Sequence, residues 1–344
     1  MLRRVIISRT DSIGDVALTL PLCGIIKENL PEVEIIFLGN KYTKSIIECS
    51  EAVDQFVDYS AIENLDKKAK IEKIRKLKAD AVIHVFPQKD IAKLMKRAKV
   101  KHRVGTSHRL YNWLYCNSLV SFSRKNSDLH ESELNLFLLE GILIEFNKYL
   151  DKDLLPYCHF KAPKLEEQIA NVFLDKDKKN LIFHPKSKGS AREWSLEHYK
   201  ELIESLSPEK YNIIITGTEA EGKLIKEIID TDKYSHLKDS TGKLTLTELI
   251  SLISACDLLL ACSTGPLHIA ALCDIKTIGI YPPIRPMHPE RWKPLGEKSK
   301  ILVKNKKCIS CIKTPNNCKC VNSIAVETVK TEIEIACNDK TENL

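Results

Sequence analysis

The chain has 344 residues, 43% hydrophobic and 29% charged, which excludes a disordered or fibrous protein and leaves room for two cores of about 150 residues each. Its 53 Lys and Arg against 46 Asp and Glu give a net charge of +7, read as lysine spread along solvated helix faces or, more pointedly, as attraction to an anionic partner such as a phosphorylated glycolipid; no interleaving of aromatic with basic residues points to nucleic acid. MLRRVIISR is broken by Arg9, Asp11 and Asp15 before it reaches signal-peptide length, and no uncharged apolar run approaches the roughly 18 residues of a spanning helix, so a cytoplasmic protein with at most peripheral membrane contact is expected.

In chain order, RRVIIS, EIIFLG, DQFVDY, DAVIHVF and the short VKHRVG read as strands. Helical patterns lie between them, such as KKAKIEKIRKLK with its apolar Ile71, Ile74 and Leu77. HESELNLFLLEGIL predicts one long amphipathic helix with His130 near its start. DKDLLPYCHFKAPK, with two prolines, interrupts the pattern and predicts a linker between a domain at 1–158 and another at 159–344. The alternation resumes as NLIFHP, SLEHYKELIESL, YNIIITG, EAEGKLIKEII, DLLLACS, a helix starting near Thr264, and KTIGIY. SIAVETVKTEIEIAC predicts a last helix that packs back across either domain, the first included. Strands alternating with helices predict an α/β chain of two doubly wound parallel sheets whose carboxyl ends face a central cleft, where such sheets bind ligands.

The strand ends carry the residues with chemistry. RTDSIGDVALTLP turns through Asp11, Ser12, Ile13 and Gly14 into a helix starting near Asp15, whose carboxylate sits at the positive end of the helix dipole. The G-x-G-x-x-G of a dinucleotide loop is absent. Asp11 or Ser12 reads as an N-cap, and Asp15 reads either as a first-turn acid or as a proton acceptor. HPKSKGSAREW gathers Ser187, Ser190, Gly189 and the cations Lys186, Lys188 and Arg192 into one loop, suited to an anionic group or simply solvated, with Ser195 capping the next helix. CSTGPLHIAALC enters a helix through Ser263, Thr264 and Gly265, where backbone N–H groups bind phosphate readily, and His268 points to the ligand or to the core. After YNIIITG, Glu219 and Glu221 offer carboxylates to ribose hydroxyls or to their own helix N-terminus.

Eight of the twelve cysteines are scattered and read as small buried hydrophobes in a reducing compartment. The other four, Cys308, Cys311, Cys318 and Cys320, form C-x2-C followed by C-x-C. They read as a reduced Cys-rich loop or as a four-thiolate site for structural zinc or iron, although the second pair lacks the usual two-residue spacer.

Taken as an ordered set, RTDSIGD followed by TLP, HPKSKGSAREWSLEHY, ITGTEAE, and DLLLACSTGPLHIAALC with KTIGIYPP behind it resemble the lipopolysaccharide heptosyltransferases of glycosyltransferase family 9 across residues 1 to about 300. The resemblance implies a GT-B fold of two Rossmann-like domains, the first holding the acceptor and the second the nucleotide sugar. It implies inverting transfer of heptose from ADP-heptose to the inner core of lipopolysaccharide, on Kdo-lipid A or a core heptose, at the cytoplasmic face of the inner membrane and with no cofactor. By position, Asp15 is the implied general base, with Ser12 and Gly14 on the acceptor side. Ser187, Ser190, Arg192, Ser263, Thr264, Gly265 and His268 fall on the implied donor phosphates, Glu219 on the ribose, and Leu244 with Thr245 on the adenine. Arg192 stands where many members carry Lys, and Ser263 where many carry Asp, so another nucleotide sugar or a protein acceptor stays open. A silent sugar-nucleotide binding protein is the alternative from another class.

Overall fold

The computed structural model describes residues 2–124, 127–150, 152–285, 287–304, 308, 310 and 319–338. The chain forms two compact units, Met1–Lys161 and Ala162–Leu344, divided inside DKDLLPYCHFKAPK. In the first unit the strands are β1 (Arg4–Ser8), β2 (Glu34–Gly39), β3 (Gln55–Asp58), β4 (Ala81–His84), β5 (His102–Thr106) and β6 (Ser118–Val120). They form one sheet in the order β3-β2-β1-β4-β5-β6, every pair parallel. Helices α1 (Ile13–Ala17), α2 (Leu20–Asn29), α3 (Lys44–Glu48), α4 (Lys67–Lys76), α5 (Lys89–Arg97), α6 (Leu110–Tyr115) and α7 (Glu131–Leu136) connect them. Covered on both faces, β1 and β4 read as unbroken apolar runs, with Val5, Ile6, Ile7, Val82 and Ile83 fully buried.

The second unit repeats the plan with β7 (Lys179–His184), β8 (Tyr211–Ile215), β9 (Leu237–Asp239), β10 (Leu258–Cys262), β11 (Lys276–Ile280) and β12 (Ser299–Leu302), in the order β12-β11-β10-β7-β8-β9 and again all parallel. Its helices are α8 (Glu167–Phe173), α9 (Leu196–Ser205), α10 (Glu219–Lys226), α11 (Leu246–Ser254), α12 (Gly265–Leu272) and α13 (Pro289–Trp292). The C-terminal helix Val326–Asn338 packs on α9 of this unit, burying Val329 and Ile333 in its core. Trp194, fully buried there, donates its indole N–H to the Ile324 carbonyl at 3.0 Å.

In each sheet the chain winds outward for three strands and then returns to the middle, so the winding reverses between β1 and β4 and between β7 and β10. Loops leaving adjacent strands on opposite sides of such a reversal part from one another, which opens a crevice at the carboxyl edge. The crevice loops follow Ser8 and His84 in the first unit and His184 and Cys262 in the second.

Two expectations change. HESELNLFLLEGIL is not one helix: α7 ends at Leu136 and tightens into a 3₁₀ segment, Phe137–Ile142. That turn lies so close to β5 that a Cβ on Gly141 would meet Val104 Cγ1 at 2.3 Å. His130 is the cap of α7, its Nδ1 accepting from Ser132 N at 3.3 Å while Glu133 accepts from His130 N at 2.8 Å. Of the scattered cysteines, Cys23, Cys49, Cys116, Cys158, Cys256 and Cys262 are buried as expected, and Cys273 and Cys337 are half-buried.

His84, at the end of β4, is 1% exposed, and neither ring nitrogen has a hydrogen-bond partner among the described residues. Burial, helped by the Arg103 charge, pushes it down from 6.5 to about 4. Because the folded value lies below the unfolded one, the unfolded chain takes up the proton first, and stability falls as pH drops from 6.5 towards 4. His84→Leu should change stability at pH 7 by less than about 1.5 kcal/mol and make the decline over that window shallower in urea unfolding. An unchanged slope would contradict a buried neutral imidazole.

Candidate active site

The first crevice is organised by a buried cation. As β1 ends, Arg9 N donates to Leu38 O and Val85 N donates to Ser8 O, each at 3.1 Å, which ties the loop to both neighbouring strands. The Arg9 side chain turns inward and is 3% exposed. Its Nε and Nη2 donate to the two oxygens of Asp11 at 2.9 and 3.1 Å, and Nη2 also pairs with Asp15. Nη1 reaches Glu131 Oε1 at 3.2 Å and Asn135 Oδ1 at 3.4 Å. Glu131 is shared with Arg124, whose Nε lies at 3.2 Å and whose Nη2 donates to Asn135 Oδ1 at 2.8 Å. Two guanidinium groups thus face three carboxylates. Burial works against the Arg9 charge, but the three carboxylates outweigh it and raise its value. Burial pushes Asp11 up to about 6 against the pull of Arg9, and the Asp15 charge adds to the rise.

Asp15, in the first turn of α1, keeps 18% of its side chain exposed whereas Glu131 keeps 1%. One Asp15 oxygen faces Arg9 and the other accepts from Ser12 Oγ. Ser12 is the N-cap residue by backbone geometry, yet its hydroxyl makes no cap bond, and Gly14 is buried in the helix. Asp11 is not a cap: both of its carboxylate oxygens are spent on Arg9, and a buried cation outcompetes a helix amide for a carboxylate. Asn40 Nδ2 on Thr10 O at 2.5 Å, Gln88 Nε2 on Thr10 Oγ1 at 2.8 Å and the Tyr42 hydroxyl on Asp11 O fix the loop from the ends of β2 and β4.

In the second unit, His184 closes β7 with Nδ1 2.9 Å from Thr216 Oγ1, and burial pushes it down to about 4, so it is neutral. The loop after it folds around Glu193, which accepts from Ser187 N and Ser187 Oγ at 2.8 Å each and pairs with Lys186. Ser190 Oγ donates to Ser187 O at 2.7 Å. The hydroxyls of Ser187 and Ser190 are therefore taken up in shaping the loop. Lys188 (φ 49°) and Gly189 (φ 81°) turn it through the left-handed region, and Arg192 is half-buried.

After β10, Ser263 is half-buried and Thr264 caps α12 by its backbone only. The Thr264 hydroxyl, in a side chain 5% exposed, has no partner among the described residues. It lies at the start of a helix whose first amides, from Gly265 onward, have no intrahelical acceptor. His268, 4% exposed, sits one turn further along. At the end of β8, Thr218 and Glu221 form a capping box on α10, and hydrogen bonds from Thr218 overcome burial to hold Glu221 below its usual value. Glu219 is exposed and paired with Lys223 at 3.0 Å. Gly242 (φ 70°) presses bare backbone onto it, for a Cβ there would lie 2.8 Å from Glu219 Cβ. This brings Glu219 beside the turn that leads to Leu244 and Thr245. Leu244 is half-buried, and Thr245 is engaged in the capping box of α11 with Glu248.

Among the described residues no group of three or more His, Cys, Asp or Glu is placed to hold a metal ion. Cys311 and Cys318 lie outside the described residues, and Cys308 and Cys320 pack against the apolar core of the second unit. Arg9, Arg124, Glu131, Asn135 and Glu193 were not anticipated from the sequence. Arg9 stands in the quoted motif, but Glu131 pairs with it across 122 residues and leaves no local signal.

Residues 68–322 match the family described as glycosyltransferase family 9 (heptosyltransferase). A candidate glycosyltransferase of Haemophilus influenzae is 27% identical over 305 residues, 87% of this chain and 88% of that protein. The lipopolysaccharide core heptosyltransferase OpsX of the same organism is 24% identical, over 80% of this chain and 78% of that one. Among solved structures, Escherichia coli ADP-heptose lipopolysaccharide heptosyltransferase II superposes with a TM-score of 0.76 at 17% identity, covering 97% of this chain and 98% of that one. E. coli heptosyltransferase WaaC with ADP gives 0.70 at 16%, covering 97% and 99%. At these identities the structural likeness is one of fold, GT-B, with two α/β units.

Replacing Arg9 with Met leaves Asp11, Asp15 and Glu131 crowded without their shared cation. The variant should lose about 3–5 kcal/mol of stability at pH 7.5. The loss should shrink at pH 5, where protonation relieves the repulsion, as urea titrations at the two pH values would show; a pH-independent loss would mean that packing rather than charge is what Arg9 provides.

Proposed function

Because this chain belongs to glycosyltransferase family 9, the heptosyltransferase family, we propose that it transfers heptose from ADP-heptose to the inner core of lipopolysaccharide, with inversion at the anomeric carbon. The observation that carries the reading is the Asp15 carboxylate: oriented by a buried arginine at a topological reversal, yet left partly open to solvent. A carboxylate so held is positioned to take the proton of an acceptor hydroxyl. The hydroxyl acidifies as its oxygen bonds to the anomeric carbon, so proton transfer is needed only late. Ser12, already donating to Asp15, and Gly14 form the acceptor side.

On the donor side, negative charge builds on the departing β-phosphate. The amides at the start of α12 from Gly265, the unpartnered Thr264 hydroxyl, Ser263 and the Arg192 guanidinium are the groups proposed to stabilise it, with His268 behind them. Ser187 and Ser190 act here through the shape of their loop. The close approach of Gly242 to Glu219 supports giving the ribose to Glu219 and the adenine to the adjoining Leu244 and Thr245. Fixed positive groups of this kind do the work a divalent cation does in other transferases, so the transfer is proposed to run without metal. The acceptor is an anionic glycolipid, which sets the reaction at the cytoplasmic face of the inner membrane; no helix among the described residues is long and apolar enough to cross it.

Asp15→Asn should lower turnover by at least about a hundredfold while ADP still raises the melting temperature. Retained turnover would remove Asp15 as the base. ADP at a hundred times its dissociation constant should stabilise the wild type by about 2.7 kcal/mol. UDP or GDP at the same concentration should stabilise it much less, and the reverse order would overturn the donor assignment.

A further inference from the structure

Helix α6 is built inside out. Its buried residue is polar: Asn112, fully buried, donates from Nδ2 to Thr106 O at 2.8 Å. It packs against bare Gly105, where a Cβ would lie 2.9 Å from the same nitrogen. Leu110, Trp113 and Leu114, spaced i, i+3 and i+4 and so on one face, are 88%, 64% and 64% exposed. The Trp113 indole N–H donates to Ser107 O at 2.9 Å, which holds the ring in place at the surface. A helix that packs on its own domain turns such a stripe inward; this one presents it outward.

The sequence around the stripe, between Asp90 and Asp128, is basic. Residues 91–127 contain nine Lys and Arg and no Asp or Glu. Of these, Lys96, Arg97, Lys99, Lys101 and Arg109 are exposed. Lys96 donates to Leu114 O at 2.6 Å, which sets an ammonium group at the end of the stripe. Because α6 follows β5 in an all-parallel sheet, it leaves from the same edge as the Arg9–Asp15 loop of this unit.

We propose that α6, rimmed by these cations of α5 and of the segments flanking β5, is a docking surface for a bilayer that carries anionic phospholipid. An exposed Trp with two Leu inserts at the headgroup boundary, and the cations sit where they meet phosphates. A second copy of the chain fits the stripe poorly, since a two-fold contact would set two such cationic segments against each other. The inference goes beyond the transferase reading, and its test uses neither donor nor acceptor, so either can fail alone.

The experiment is flotation of the full chain with vesicles of phosphatidylcholine alone or with about one-third phosphatidylglycerol. Binding to the anionic vesicles should be at least about tenfold tighter and should weaken as salt rises. Leu110→Ser/Trp113→Ser/Leu114→Ser should abolish it, and Arg97→Gln/Lys99→Gln/Arg109→Gln should reduce it about tenfold, the latter without lowering the melting temperature because the three replaced cations are exposed. Should the apolar triple variant fold poorly, the charge variant alone decides. Equal binding to neutral vesicles, undiminished binding by the variants, or a wild-type dimer that the apolar substitutions convert to a monomer would overturn the proposal, the last by giving the stripe to a second copy.

Discussion

The buried guanidinium of Arg9 is the constraint from which the first unit's site follows. A cation 3% exposed must be neutralised and hydrogen-bonded on all sides, because an unpaired charge in the interior costs several kcal/mol. Asp11 and Asp15 from its own loop and Glu131 and Asn135 from α7 meet that demand, and together they bind the β1 turn to a helix 122 residues away. The geometry of Asp15 is a by-product of this arrangement. Its carboxylate is held in place because Arg9 needs it, and it stays partly open because Glu131 already fills the inner side.

The two units share a topology and set different groups at its reversal. Where the winding reverses in the first, Asp11 of the loop, Asp15 of α1 and Glu131 of α7 set three carboxylates against two guanidinium groups. In the second, the corresponding loops supply donors, from a helix start, a buried hydroxyl and a basic loop. A base and an anion-stabilising site are what a displacement at an anomeric carbon requires. RTDSIGD lacks the further glycines of a dinucleotide loop, and its turn is filled by the paired Arg9, Asp11 and Asp15 side chains.

Much of the fold was legible because the central strands are long apolar runs between helices, a pattern that survives without tertiary knowledge. Three of the four edge strands were not legible: SLV, LKD and SKIL are three or four residues long and carry no periodicity above background. The α7 helix was overextended because HESELNLFLLEGIL keeps an apolar repeat, and only the approach to β5 shows why it tightens at Phe137. Spacing placed Asp15, Thr264 and Gly265 at strand-to-helix turns, where the structure has them, since such turns are local. It misassigned Asp11 as a cap because the competing partner, Arg9, shows its worth only once it is known to be buried.

The net charge of +7 is unevenly distributed along the sequence. Setting aside residues 91–127, which include Lys93, Lys96 and Arg97 of α5, leaves 44 Lys and Arg against 46 Asp and Glu, a net of −2. The excess falls in the sequence segment that contains α6, whose Leu110, Trp113 and Leu114 are exposed. Neither feature is informative alone, since cationic segments are usually solvated and single exposed apolar residues are common. Their coincidence is what calls for a cause, and a partner that is itself apolar within and anionic at its rim satisfies both.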